Sequence, residues 1–194
     1  MRRTVVCYGD SNTWGYTPGS GVRFDEKTRW TGRLQTLLGK EYRVAECGMN
    51  ARTTSFDDPF RDYLNGRHGL VHCMVAAKPV DLLIIMLGTN DLLQGRSPEQ
   101  AVKRLDRFLS GISLDRSKIL VIAPPPMTLG AWVPSPQLID DSRAFARLCQ
   151  ALAEQLGIRF ADAGKWDIPL AYDGVHFTEQ GHKAFAAGLL EELK

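Results

Sequence analysis

The chain has 194 residues and a formal charge of +2, from 24 basic and 22 acidic side chains spread along its length. With 44% apolar residues it is expected to bury a core as one domain, 1–194, rather than stay disordered. No basic block recommends nucleic acid, no apolar run reaches the length of a membrane span, and Met1-Arg2-Arg3 is not followed by the apolar segment of a secretory signal, so a soluble, cytoplasmic protein is expected.

Residues 4–8, Thr-Val-Val-Cys-Tyr, read as a first strand, because branched and aromatic side chains pack well on a pleated surface. The run stops at Gly9-Asp10-Ser11-Asn12-Thr13. Ser11 therefore falls just past the carboxyl end of a strand, where open parallel sheets place their sites. A loop rich in Gly, Pro and aromatics spans 12–28, and Trp30, Leu34, Leu37 and Leu38 then recur at helical spacing before Gly39. A second strand over 43–47 ends at Gly48, and a polar loop from Asn50 carries Pro59. A helix is expected over 63–78, with breaks at Gly66 and Gly69.

The run 81–87 is the strongest strand, apolar on both faces as a central parallel strand must be, and it ends at Gly88-Thr89-Asn90-Asp91. Ser97-Pro98-Glu99-Gln100 is a helix start, and Ala101, Leu105, Phe108, Leu109 and Ile112 form its buried stripe. A fourth strand over 118–123 runs into Pro124-Pro125-Pro126 and a loop with Trp132. A helix over 138–156 turns Phe145, Leu148, Leu152 and Leu156 inward, and a short fifth strand follows at 159–161. Asp173-Gly174-Val175-His176 precedes Thr178, the expected cap of a last helix with His182, Phe185, Ala186, Leu189 and Leu193 on its core face. This alternation predicts an α/β fold, a five-stranded parallel sheet with helices on both faces, and right-handed crossovers bring every strand's carboxyl end to one edge.

Four chemically loaded turns meet at that edge. Ser11 is the candidate nucleophile and His176 the candidate base, since a neutral imidazole accepts the serine proton near pH 7. Asp173, three residues before His176, is spaced to meet its Nδ1 side and orient the ring. The backbone N–H groups of Ser11 and Gly48 and the side-chain amide of Asn90 are the candidate oxyanion donors. Trp14, Met127 and Trp132 are the candidate walls of a small apolar pocket. His182 reads as packing, and His68 and His72, four apart, as solvated side chains rather than a metal pair, so no metal site is expected. Cys7, Cys47, Cys73 and Cys149 form no Cys-x-x-Cys pair and read as small, reduced core side chains; Cys7 and Cys47 end strands expected to be neighbours, which would set them close together.

Gly9-Asp10-Ser11, Gly48-x-Asn50, Gly88-x-Asn90-Asp91 and Asp173-x-x-His176 resemble, over nearly the whole chain, the four blocks of the SGNH hydrolases, also called GDSL esterases. The resemblance implies a flavodoxin-like three-layer sandwich, Ser11, Asp173 and His176 as a triad, Ser11, Gly48 and Asn90 as an oxyanion hole, and no cofactor. Asp10 to Gly15, Arg29-Trp30-Thr31-Gly32, Ala51-Arg52-Thr53-Thr54, Asp57-Asp58-Pro59, Leu64-Asn65-Gly66 and the run 84–91 are similar to the bacterial arylesterase and acyltransferase branch, beside which the segment 124–138 is short. That branch implies small acyl esters as substrates, acyl transfer to alcohols or peroxide, and a homo-oligomer. A carbohydrate O-acetyl deacetylase, with Tyr16, Phe24 and Trp132 stacking on a sugar, is the rival enzyme reading, and a binding module without chemistry is the rival outside enzymes.

Overall fold

Alternate residues of the first strand face different layers, and that alternation sets the architecture. The computed structural model describes residues 2–55 and 61–194, so the Asp57-Asp58-Pro59 run lies outside the described residues. Among those described, β1 (Arg3–Gly9), β2 (Tyr42–Gly48), β3 (Leu82–Met86), β4 (Ile119–Ala123) and β5 (Arg159–Asp162) form one parallel sheet in the order β2-β1-β3-β4-β5. The helices are α1 (Ser11–Trp14), α2 (Trp30–Leu38), α3 (Gly66–Ala77), α4 (Thr89–Leu93), α5 (Pro98–Ser110), α6 (Pro136–Leu156) and α7 (Glu179–Glu192). Val6 and Tyr8 of β1, with Leu83 and Ile85 of β3, pack under α3, α5 and α6 against Leu70, Leu105, Phe108 and Phe145. Val5 and Cys7, with Ile84 and Met86, pack under α2 and α7 against Trp30, Leu34, Phe185 and Leu189. The result is the expected α/β/α sandwich, with the crossover direction reversing between β1 and β3, where such sheets open a crevice.

The helix ends follow local chemistry. Ser97 and Gln100 form a reciprocal capping box at α5, and Thr178 caps α7 by accepting the Gly181 N–H. α6 begins two residues earlier than expected, at Pro136, because Ser135 caps it and proline suits a first helical position. The Gly66 break is real: Asn65 caps α3 there, after a single 3-10 turn over Asp62–Leu64. The expected break at Gly69 is corrected: α3 runs on through it, and the lack of a Cβ, which would come within 2.9 Å of the Tyr8 hydroxyl, lets α3 lie close on the sheet. Leu37 is 49% exposed, and Leu148 and Leu156 are half-buried, so those three sit at the margins of their apolar faces.

β1 and β2 are neighbours, but their register pairs Cys7 with Glu46 and Tyr8 with Cys47. Side chains alternate across a sheet, so Cys7 points under α2 and Cys47 under α3. The expected nearness of Cys7 and Cys47 is thus corrected: they lie on opposite faces. Among the described residues no helix is long and apolar enough to cross a membrane.

His182 is buried between the rings of Phe24 and Phe177, and its Nδ1 accepts the N–H of Trp30 at the start of α2. That confirms a packing role. Burial, and then the charges of Arg33 and His176, push its pKa down to about 3. A histidine in an unfolded chain titrates near 6.5, at roughly 1.4 kcal/mol per unit of difference. Between those values the unfolded chain binds a proton that the folded chain refuses, so stability falls as pH drops from about 6.5 toward 3. Urea unfolding at pH 6.5 and at about pH 5 should show His182→Asn, whose amide oxygen can stand in for Nδ1, losing less stability on acidification than the wild type. An equal loss in both proteins would contradict the assignment.

Candidate active site

Gly9 ends β1 and Asp10 begins a tight turn, its carboxylate accepting the Asn12 N–H at 3.0 Å. Burial pushes the Asp10 carboxyl up to about 7, against that N–H and the Arg52 charge. Ser11 opens α1, and its Oγ lies 2.9 Å from His176 Nε2. His176 Nδ1 lies 2.7 Å from Asp173 Oδ2, while Asp173 Oδ1 accepts the N–H groups of Val175 and His176, each at 2.9 Å. Burial raises the Asp173 carboxyl, but the His176 amide, the His176 ring and the Val175 amide together hold it below the ordinary value. An ionised Asp173 fixes the imidazole proton on Nδ1, which leaves Nε2 to accept the Ser11 hydroxyl proton. Burial pushes the His176 pKa below 6.5 by more than Asp173 raises it, so the ring is a neutral base at pH 7.

The contact spans the chain, and one side chain holds it. Asn12, buried beside Ser11, donates from Nδ2 to the Val175 carbonyl at 3.1 Å and accepts the Phe177 N–H at 2.9 Å. It thereby grips the two peptides that flank His176. The 124–138 segment braces the same loop: Thr128 donates to Gly174 O at 3.0 Å, Ala131 to Tyr172 O at 3.1 Å and Trp132 to Asp173 O at 3.0 Å. The two backbones touch at Gly130 and Gly174; Gly174 has φ +80, and a Cβ on it would fall 2.0 Å from Thr128 O. Tyr16 and Trp132 flank the His176 ring, with centroids 4.5 and 4.8 Å away. The loop bearing Tyr16 is anchored by Arg23 and Arg29, which both reach Glu46 on β2.

The opposite side of Ser11 is built around Arg52. Its Nη1 donates to Gly9 O at 2.8 Å and to Cys47 O, and its guanidinium stacks on the Tyr8 ring at 4.1 Å. Its own carbonyl accepts from Asn90 Nδ2 at 3.0 Å, which fixes the amide's orientation. Next to it Asp91 accepts the N–H and the hydroxyl of Thr54 at 3.0 and 2.6 Å. Met49 N–H bonds to Gly9 O, so the alternation of a parallel ladder turns the Gly48 N–H away from β1. Gly48 presses on α1, where a Cβ would lie 2.2 Å from Trp14 N. A groove of about 420 Å³ opens there, lined by Trp14, Gly48, Asn50, Ala51, Arg61 and Tyr63 among others.

All the triad and oxyanion candidates thus gather at the carboxyl edge of the sheet. The pocket candidates separate. Trp14 lines the groove and Trp132, 48% exposed, stands over His176, but Met127 is buried in the core, its N–H held by Ser142 Oγ at 3.1 Å. Phe24 is also displaced from the rim, its ring packed on His182. His68 pairs with Asp62 at the surface, and among the described residues no group of three or more His, Cys, Asp or Glu side chains could hold a metal. Asn12 and Arg52 stand inside motifs the sequence displays, but their partners lie up to 165 residues away, and only the fold identifies them.

Comparison with known proteins finds relatives over nearly the whole chain. The GDSL-like lipase/acylhydrolase family model matches residues 7–184. The structure of an aryl esterase from M. smegmatis superposes with a TM-score of 0.86 at 35% identity, covering 98% of both chains. A carbohydrate acetylesterase from Sinorhizobium meliloti superposes with a TM-score of 0.87 at 31% identity, covering 99% of this chain and 98% of the other. An acetylxylan esterase from Xylanibacter ruminicola is 25% identical over 98% of this chain, which spans 43% of that protein's length.

The Asn12 grip carries a kinetic expectation. Asn12→Ala should lower kcat for an ester substrate by roughly tenfold to a hundredfold, as small misplacements of reacting groups do, with KM nearly unchanged. Asn12→Asp retains the acceptor for Phe177 N–H and should fall in between. Wild-type kcat in Asn12→Ala would show that the grip does not set the Ser11–His176 distance.

Proposed function

The chain belongs to the GDSL-like lipase/acylhydrolase family and is an acyl-ester hydrolase; from that premise we propose that it cleaves short-chain acyl esters through an acyl-Ser11 intermediate. The observation that carries the reading is the continuous hydrogen-bond series from Ser11 Oγ through His176 to Asp173. As Ser11 Oγ bonds to the ester carbonyl carbon, His176 Nε2 takes its proton, and Asp173 stabilises the imidazolium. The carbonyl electron pair moves to oxygen, where the N–H groups of Ser11 and Gly48 and the free N–H of Asn90 meet it. Collapse expels the alcohol, which leaves with the proton from Nε2. Water then attacks the acyl-serine, His176 taking its proton, and the carboxylic acid departs as Ser11 is restored.

Proton delivery places the two halves of the substrate. The alcohol leaves on the His176 side, against Tyr16 and Trp132, and the acyl group lies toward the groove beside Trp14 and Gly48. The aromatic pair over the leaving group also supports a second reading, deacetylation of O-acetylated sugars, in line with the names of two of the matched proteins. The proposal extends to acyl transfer, with an alcohol or hydroperoxide on that side intercepting the acyl-enzyme in place of water. It includes work in the cytoplasm as a homo-oligomer, supported by four free cysteines and by exposed Tyr63, Val71 and Val75.

Incubation with p-nitrophenyl acetate and with acetylated xylose tests both readings. The aryl ester should turn over, and Asn90→Ala should lose about 10²–10³ in kcat with KM little changed. Faster turnover of the sugar ester would favour the second reading. No turnover of either ester would overturn both.

A further inference from the structure

We propose that Cys47 and Cys73 form a reactive dithiol that a hydroperoxide converts to a disulfide, at a position one residue from the oxyanion donor Gly48. The fold places the pair. Cys47 is the register partner of Tyr8, on the sheet face covered by α3. The Tyr8 hydroxyl donates to Gly66 O at 2.5 Å, and a Cβ on Gly69 would come within 2.9 Å of that hydroxyl and 3.4 Å of Arg52 Nη2. The stripe of α3 that lies on Tyr8 is therefore Gly66 and Gly69. Cys73 follows Gly69 by four residues, one turn along the same stripe, which brings it over Cys47. Both thiols line one open groove of about 310 Å³, with Glu46, His72 and Ala76, so a small oxidant reaches them. Both are half-buried rather than sealed.

The hydrogen bond between the two thiols lets one hold the proton while the other carries the charge: it lowers Cys73, as the Arg52 charge also does against its burial, and raises Cys47 together with burial. The pair therefore supplies one attacking thiolate and one resolving thiol. The thiolate sulfur bonds to one peroxide oxygen and the O–O bond breaks; the departing oxygen takes a proton and leaves as water or alcohol. The second sulfur then attacks the sulfenic acid sulfur, the S–O bond breaks, and the hydroxyl leaves with the second thiol's proton as water. Two thiols and one hydrogen peroxide give one disulfide and two waters. Cys7 and Cys149 are sealed in the core with their thiols pushed up by burial, so the reaction is selective.

The new bond would tether α3 to the end of β2. There the Cys47 carbonyl is held by Arg52, whose own carbonyl orients Asn90. This consequence for turnover rests on the ester-hydrolase reading of Gly48 and Asn90; the formation of the bond does not.

The test is treatment of the folded protein with hydrogen peroxide, followed by alkylation, intact mass and peptide mapping, with kcat measured on the same samples. The expected result is an intact mass lower by about 2 Da before alkylation, two rather than four alkyl groups taken up on denaturation after it, a linked Cys47–Cys73 peptide, and Cys7 and Cys149 still reduced. Turnover should fall by on the order of tenfold and recover with dithiothreitol. Cys73→Ser should give no linked peptide and keep its turnover after the same treatment. Two unlinked, still alkylatable cysteines after treatment, or oxidation of Cys7 and Cys149 at the same rate, would overturn the dithiol. A linked peptide with unchanged kcat would overturn its coupling to the site. Because mapping needs no substrate, a protein inactive on esters would still report on the bond.

Discussion

One hydrogen bond, from Ser11 to His176, joins the first turn of the chain to its last loop, and the fold is arranged to hold it. Neither partner sits on a long rigid element. Ser11 stands on a four-residue helix and His176 on a loop before α7. The precision comes from crossing ties. Asn12 fixes the peptides on either side of His176, the 128–132 backbone braces the loop from behind, and Asp173 bonds the same loop's amides while it orients the ring. These are bonds between neutral groups or to a carboxylate that meets donors at both oxygens, so they endure in a buried setting where an unpaired group would be costly.

The other side of Ser11 is held by charge. Arg52 is buried, and an isolated cation there would be strongly destabilising. Two carbonyls at the ends of β1 and β2 and the face of Tyr8 offset that cost. In return the guanidinium draws together the two strand ends that carry Ser11 and Gly48, and its backbone carbonyl sets the Asn90 amide. The same cation holds the Cys47 carbonyl, so the groove that Cys47 and Cys73 line adjoins this side of the candidate site.

Much of this was legible in the residues. The strand ends carried their turns at Gly9, Gly48 and Gly88, because a central parallel strand must be apolar and its chemistry must wait for the loop. The spacing of Asp173 and His176 was sufficient to read a carboxylate–imidazole pair. What escaped depends on distant partners. A single sequence does not connect Asn12 with Val175 and Phe177, nor Arg52 with Gly9 and Asn90. Met127 read as a pocket wall because an apolar residue in a proline-rich loop near a site is ambiguous, and α6 takes it into the core through Ser142. Cys7 and Cys47 read as close together because both end neighbouring strands, but the one-residue offset in the β1–β2 register decides which face each side chain takes, and a strand's boundaries alone do not set that register.

The account turns on where negative charge is met beside Ser11. A crystal structure of the protein covalently trapped by an alkyl phosphonate measures this directly. The account requires phosphorus on Ser11 Oγ, with one phosphonyl oxygen at roughly 2.7–3.1 Å from the backbone nitrogens of Ser11 and Gly48 and from Asn90 Nδ2. An adduct on another residue, or a phosphonyl oxygen turned to solvent with Gly48 and Asn90 out of reach, would contradict it.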